Sequence, residues 1–119
     1  MFTGIIEETG KVNSIQPRGE SFRFTLTIRK TGNGLKVGDS LAVNGCCLTV
    51  AEISSRGRAK LAQFDLLSET WDLTNFQFCR AGSLVNLERS LEAGGRLSGH
   101  FVNGHIDGMG KIIAWEQVG

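Results

Sequence analysis

Two stretches of the chain hold side chains whose types and spacing could do chemistry. In Cys46-Cys47-Leu48-Thr49-Val50-Ala51 a two-residue period sends Cys46, Leu48 and Val50 to one face of a strand and Cys47, Thr49 and Ala51 to the other. The first set reads as core. The second puts a thiol beside a hydroxyl, which could hydrogen-bond the polar edge of a heteroaromatic ligand or simply pack as small strand residues. The segment Gly99-His100-Phe101-Val102-Asn103-Gly104-His105-Ile106-Asp107-Gly108 holds both histidines of the chain. Their spacing puts them on opposite strand faces and out of line on a helix, which argues against a shared metal ion. Asn103, His105 and Asp107 do share a strand face, where an imidazole among hydrogen-bonding groups could act as acid or base near neutral pH, or form the polar edge of a turn. Asp65 and Glu69 make no evident catalytic pair, and Asp65 with Ser68 reads as a partner for backbone donors at a helix start. Gly32-Asn33-Gly34 and Gly94-Gly95 lack the strand-to-helix setting of a phosphate loop and read as turns.

The elements that must position these residues are short and mostly strands. Phe22, Phe24, Leu26 and Ile28 alternate with Arg23, Thr25, Thr27 and Arg29, the pattern of a half-buried strand. Gly10 to Gln16 reads as its hairpin partner across Arg18-Gly19-Glu20. Asn44-Gly45 between Ser40–Val43 and Cys46–Ile53 is the residue pair that a type I′ hairpin turn requires. A turn at Ser55-Arg56-Gly57 leads to a strand over Ala59–Leu66, and Ala81-Gly82 to one over Leu84–Arg89. Between them Ser68 to Phe76 reads as a short helix capped by Ser68, with Leu67, Trp71 and Phe76 along one side, placed to plug a barrel end. The expected fold is all-β: a six-stranded antiparallel Greek-key barrel with one or two short helices, whose closure removes exposed edges.

Size and charge narrow the function classes. A chain of 119 residues can bury one modest core. With 13 basic and 12 acidic residues and no run of either sign, it is not built to attract nucleic acid or an anionic membrane surface. No segment is long and apolar enough for a membrane span or reads as a signal peptide, which predicts a cytoplasmic protein. Cys46, Cys47 and Cys79 suit neither a disulfide framework nor a zinc site. One internal echo stands out: Gly4-Ile5-Ile6-Glu7-Glu8-Thr9-Gly10-Lys11-Val12 returns one hundred residues later as Gly104-His105-Ile106-Asp107-Gly108-Met109-Gly110-Lys111-Ile112. It predicts a barrel repeat over 1–99, followed over 100–119 by a link and the first strand of a second, truncated repeat.

Four stretches together resemble riboflavin synthase over nearly the whole chain: Met1-Phe2-Thr3-Gly4-Ile5-Ile6-Glu7, Val43-Asn44-Gly45-Cys46-Cys47-Leu48-Thr49-Val50, Phe64-Asp65-Leu66-Leu67-Ser68-Glu69-Thr70, and Gly99 to Gly108. Enzymes of that family carry two similar lumazine-binding barrels in one chain and form homotrimers. The resemblance implies dismutation of two 6,7-dimethyl-8-ribityllumazine molecules to riboflavin and a ribitylamino-pyrimidinedione, with no metal or redox cofactor. It implies ligand-binding roles for Gly4, Ile5, Cys47, Thr49, Asp65, Leu67, Thr70, Val102 and Asn103. Ser40, Cys47 and His105 match positions proposed to activate a nucleophile or move protons. Lumazine synthase is an implied partner. The family's active site lies between two barrels, so a single barrel implies a ligand-binding homodimer with little or no turnover. The alternative is a non-catalytic antenna or storage protein that holds lumazine or flavin; a purely structural interaction module is a third reading. Arg96-Leu97-Ser98 lengthens the link before Gly99-His100 relative to the family pattern.

Overall fold

Two-residue turns set the phase of the barrel. In the computed structural model, which describes residues 1–119, Asn44 and Gly45 have φ of 49° and 80°. This is the left-handed pair that a type I′ turn demands and that Asn and Gly adopt at least cost. They join β3 (Ser40–Val43) to β4 (Cys46–Arg56), with Val43 opposite Cys46. Gly19-Glu20 joins β1 (Glu8–Arg18) to β2 (Ser21–Ile28), and Gly57-Arg58 joins β4 to β5 (Ala59–Leu67). A short helix α1 (Ser68–Leu73) and a 3-10 turn (Asn75–Phe78) lead to β6 (Leu84–Arg89), and a second 3-10 turn (Lys30–Gly32) lies between β2 and β3. The strands close in the order β1-β2-β5-β4-β3-β6, every pair antiparallel. The meander β3-β4-β5 is inserted between β2 and β6, which gives the expected Greek-key order and leaves no free edge.

The inward faces follow the alternation in the sequence. Phe24, Leu26 and Ile28 of β2, Cys46, Leu48 and Val50 of β4, and Phe64 and Leu66 of β5 all enter one core cluster. Burial of each large apolar side chain stabilises the fold by roughly 1.5–3 kcal/mol. Phe76 of the 3-10 turn is fully buried, with its ring 5.2 Å from that of Phe24, so the helical segment does stopper a barrel end. Trp71 of α1 stacks on Phe22 at 4.1 Å. Two local expectations fail here. Leu67, not Ser68, is the N-cap residue, it makes no capping bond, and it is 66% exposed instead of lining the buried side. Leu67 faces outward because β5 runs one residue further than expected, to the Ser21↔Leu67 pair, so strand alternation after the buried Leu66 sets its direction.

The N-terminal segment meets residues 100–102 outside the barrel. Phe2 and Val102 form a single reciprocal bridge, N–H to O at 2.7 and 3.0 Å, and the His100 amide donates to the Thr3 carbonyl at 2.8 Å. The strap Met1–Ile5 is pinned by Glu88 of β6. That buried carboxylate accepts bonds from the Thr3 amide (2.7 Å), the Thr3 hydroxyl (2.8 Å) and the Gly4 amide (3.0 Å), the charge-assisted kind that is short and strong. Phe2 and Val102 differ by the same hundred residues as the sequence echo, and Gly4 and Gly104 share φ of 85° and 80°. Reciprocal pairing of equivalent residues is the geometry of a local two-fold axis. No strand forms over 103–119. A strand needs a ladder partner, and the closed barrel offers no edge. No helix is long and apolar enough to cross a membrane.

Candidate functional site

The β4–β5 ladder is zipped from Arg56↔Ala59 to Val50↔Phe64 and ends there. Beyond it Cys46–Thr49 keep only their β3 partners, and Asp65–Leu67 keep only their β2 partners. The register shift between Val50 and Glu52 marks a bulge, which bends β4 where the strands part. A wedge results. Antiparallel ladders alternate between bonded and non-bonded pairs, so the Val43↔Cys46 pair that closes the two-residue turn turns the peptides of Cys46 and Leu48 toward β3. Those of Cys47 and Thr49 point into the wedge. The same count from Arg18↔Ser21 through β2 directs the peptides of Asp65 and Leu67 to the opposite rim.

One end of the wedge is hooked shut. The Cys47 amide donates to the Gly104 carbonyl at 2.8 Å. Gly104 has a positive φ, and a Cβ there would stand 2.8 Å from Cys47 Cβ and 3.0 Å from Cys47 N, so no other residue fits. Because Gly104 turns the backbone, Asn103, His105 and Asp107 do not share the strand face expected of them. Asn103 Oδ1 accepts the His105 amide at 2.8 Å in a local turn, and the His105 imidazole is exposed just past the hook. Across the same end of the wedge, after Leu67 of the β5 rim, α1 carries Thr70, whose carbonyl accepts the Thr74 hydroxyl at 2.7 Å.

The sequence-derived residues fall into two adjoining groups. Cys47, Thr49, Asp65 and Leu67 project from the outer face at the two rims, with Thr70 on α1 beyond them and Ser40 opposite Thr49 and diagonal to Cys47. Gly4, Ile5, Val102 and Asn103 lie along the strap pair, where a Cβ at Gly4 would be 3.6 Å from Val102 Cγ2. Gly104 joins the groups. Of the two adjacent thiols, Cys46 faces the core, and its burial pushes its pKa up to about 11; Cys47 is half-buried at the rim.

Asp65 does not serve the helix start. Both of its oxygens are held by Arg23, from Nε at 2.7 Å and from Nη2 at 3.2 Å. The Asp65 hydrogen bond raises the Arg23 pKa above its ordinary value. A cavity of about 690 Å³ opens beside Ser40 between the strap and β6, lined largely by polar and charged residues. Glu7 and Arg89 meet there at 2.7 Å, and the hydrogen bond from Arg89 lowers the Glu7 pKa despite its partial burial. The sequence reading missed Arg23, Glu7, Glu88 and Arg89. Each is an ordinary charged strand or flank residue until the pairing of distant strands is known.

Residues 3–90 match the family model described as the lumazine binding domain. The chain is 44% identical over 119 residues to a riboflavin synthase of Bacillus amyloliquefaciens, an alignment that covers 98% of this chain and 53% of that protein. It is 46% identical over 114 residues to a riboflavin synthase of Actinobacillus pleuropneumoniae, covering 94% and 50%. The chain therefore spans about half the length of the curated relatives it matches. Among solved structures it resembles LumP complexed with riboflavin, with a TM-score of 0.78 and 31% identity over 91% of this chain and 56% of that one. LumP complexed with 6,7-dimethyl-8-(1'-D-ribityl) lumazine gives 0.76 and 32%, over 91% and 58%.

Proposed function

The chain belongs to the lumazine binding domain family, and from that premise we propose that it binds 6,7-dimethyl-8-ribityllumazine and riboflavin in the wedge between β4 and β5. The observation that carries this reading is the parted ladder. The pyrimidinedione edge of a lumazine alternates carbonyl acceptors with an N–H donor; with the Cys47 amide held by Gly104, the Thr49 amide and the Cys47 and Thr49 carbonyls on one rim, and the peptides of Asp65 and Leu67 on the other, offer the matching groups. Cys47, Thr49, Asp65, Leu67 and Thr70 surround the ring, while Gly4, Ile5, Val102 and Asn103 form the wall on the strap side.

The wider proposal is that this barrel is one of two in a riboflavin synthase. There two lumazines are held face to face, four carbons pass from one to the other, and riboflavin and a ribitylamino-pyrimidinedione leave. The acidic C7 methyl of one lumazine loses a proton to become the carbon nucleophile, and an oxygen or sulfur nucleophile adds to the other ring. His105 is the proposed proton carrier, with Ser40 and Cys47 positioned to activate or supply the second nucleophile. This chain folds as one barrel, so a second barrel must hold the second lumazine. The local two-fold at Phe2 and Val102 supports such a mate, either the next repeat in a homotrimeric enzyme or another copy in a homodimer. Lumazine synthase, as the source of substrate, and the cytoplasm, where the three free thiols would stay reduced, complete the proposal. A holding protein without turnover is the second reading, favoured by LumP neighbours complexed with flavin mononucleotide as well as with riboflavin and the lumazine.

The test is a titration of riboflavin with the protein, following quenching of flavin fluorescence, repeated with Thr49→Ala. Saturable quenching with several-fold weaker binding in the variant is expected. Absence of quenching at high protein concentration would overturn the binding assignment, and formation of riboflavin from added lumazine separates the enzyme from the holding protein.

A further inference from the structure

Behind the β5 rim, on the outer face of β2, Arg23 lies directly opposite Asp65. Its side chain is only 13% exposed, although a guanidinium is charged at every accessible pH. Two neighbouring strands, β5 and β4, supply its partners. Nε and Nη2 engage both Asp65 oxygens, Nη1 donates to Gln63 Oε1 at 2.7 Å, and the same Nη1 stands 3.6 Å from Glu52 Oε1 of β4. Glu52 and Gln63 are themselves paired in the β4–β5 ladder, next to the rung where the wedge begins. The fork thus straddles the hinge between the zipped and the parted parts of the seam.

Two consequences follow from this geometry. The Asp65 carboxylate is drawn toward β2, away from the wedge, so what Asp65 offers there is its peptide group. The angle at which that rim stands from β4 is fixed by a planar donor set that touches β5 twice and reaches across to β4. A lysine ammonium has the charge but not the fork.

We propose that Arg23 is a positioning residue of the lumazine site, which fixes the Asp65–Leu67 rim so that the heterocycle is read by backbone groups there and not by the Asp65 carboxylate. This inference rests on the wedge being the binding site. It assigns Arg23 a part in recognition without ligand contact, and it makes Asp65 a rim residue whose carboxylate is held by Arg23.

The experiment is riboflavin binding by wild type, Arg23→Gln, Arg23→Lys, Asp65→Ala and the Arg23→Gln/Asp65→Ala double variant, with the visible absorption band of the bound flavin recorded for each. Expected are roughly tenfold weaker binding in both single substitutions, no further loss in the double variant, as coupled residues show, a shifted flavin band, and no rescue by lysine. Binding by Arg23→Gln that equals or exceeds wild type while Asp65→Ala loses it would show that the carboxylate itself holds the ligand, and overturns the proposal. Rescue by lysine, or additive losses with an unchanged flavin band, would reduce Arg23 to a general charge or fold role and overturn it too. A wild-type chain that binds no riboflavin would sink the wedge assignment first and this inference with it, so the two failures are distinguishable.

Discussion

The two halves of the β4–β5 seam are built from the same two strands and behave in opposite ways. From Val50 to Arg56 every rung is paired or bridged across a bulge. At Cys47 and Thr49 the strand turns its peptides toward a partner that has moved away, and the gap is flanked by a hook at Gly104, by a helix that starts one residue after Leu67, and by a guanidinium at the hinge. The contrast teaches that this barrel makes a recognition site by withholding a ladder, not by gathering charged side chains. Peptide groups that would cost about 1–3 kcal/mol each if buried without partners stay near solvent until a ligand supplies them.

The comparison breaks most severely at its zipped half. Phe64→Ala, at the last rung and fully buried, should cost about 3–5 kcal/mol in urea unfolding and abolish binding through loss of the fold. Thr49→Ala, exposed on the parted half, should leave the unfolding midpoint within about 0.5 kcal/mol of wild type. Gly104→Val tests the hook. The positive φ and the contacts with Cys47 should cost about 2 kcal/mol, and the Cys47 amide should exchange with solvent far faster while amides of Glu52–Arg56 keep their protection. A control away from the seam is Glu7→Gln. Arg89 lowers the Glu7 pKa below its ordinary value near 4.5, so the ion pair contributes its full stability above that value and loses it as pH falls through the lower, folded-state pKa. The variant should be about 1 kcal/mol less stable at pH 7, and the difference should shrink as pH falls below the ordinary Glu value, with riboflavin binding unchanged at pH 7. The smallest effect concerns the thiols. At pH 8, with its pKa near 11, about one in a thousand Cys46 side chains is a thiolate, so iodoacetamide should label Cys47 well before Cys46, and bound riboflavin should slow that labelling.

Much of the frame was legible because it is local. Asn44-Gly45 specified a turn by the φ values those residues tolerate, and the alternation in Phe22–Ile28 and Cys46–Val50 specified which side chains face the core. The outward set Cys47 and Thr49 followed from the same period. What could not be read was set by partners far along the chain. Glu88 pins Thr3 and Gly4 across 85 and 84 residues, and Arg23 meets Asp65 across 42. Leu67 faces outward because β2 extends the pairing of β5 to it, so strand alternation and not helical spacing sets its direction. Asn103, His105 and Asp107 lost their common face because one backbone contact, Gly104 against Cys47, overrides strand alternation. Their neighbourhood to Cys47, like the pocket roles proposed for Gly4, Ile5 and Val102, entered through family resemblance, since no periodicity links positions so far apart in the chain.

The central claim, that the parted half of the seam is where the heterocycle binds, is tested most directly by mapping backbone amide chemical shifts as riboflavin is added. The largest changes should fall on Cys47–Thr49, Asp65–Leu67 and Gly104, with Glu52–Arg56 and Ala59–Ala62 unmoved. Changes gathered instead around Lys36, Ser90 and Arg96 in the cleft beside Ser40, or spread evenly over the barrel, would contradict it.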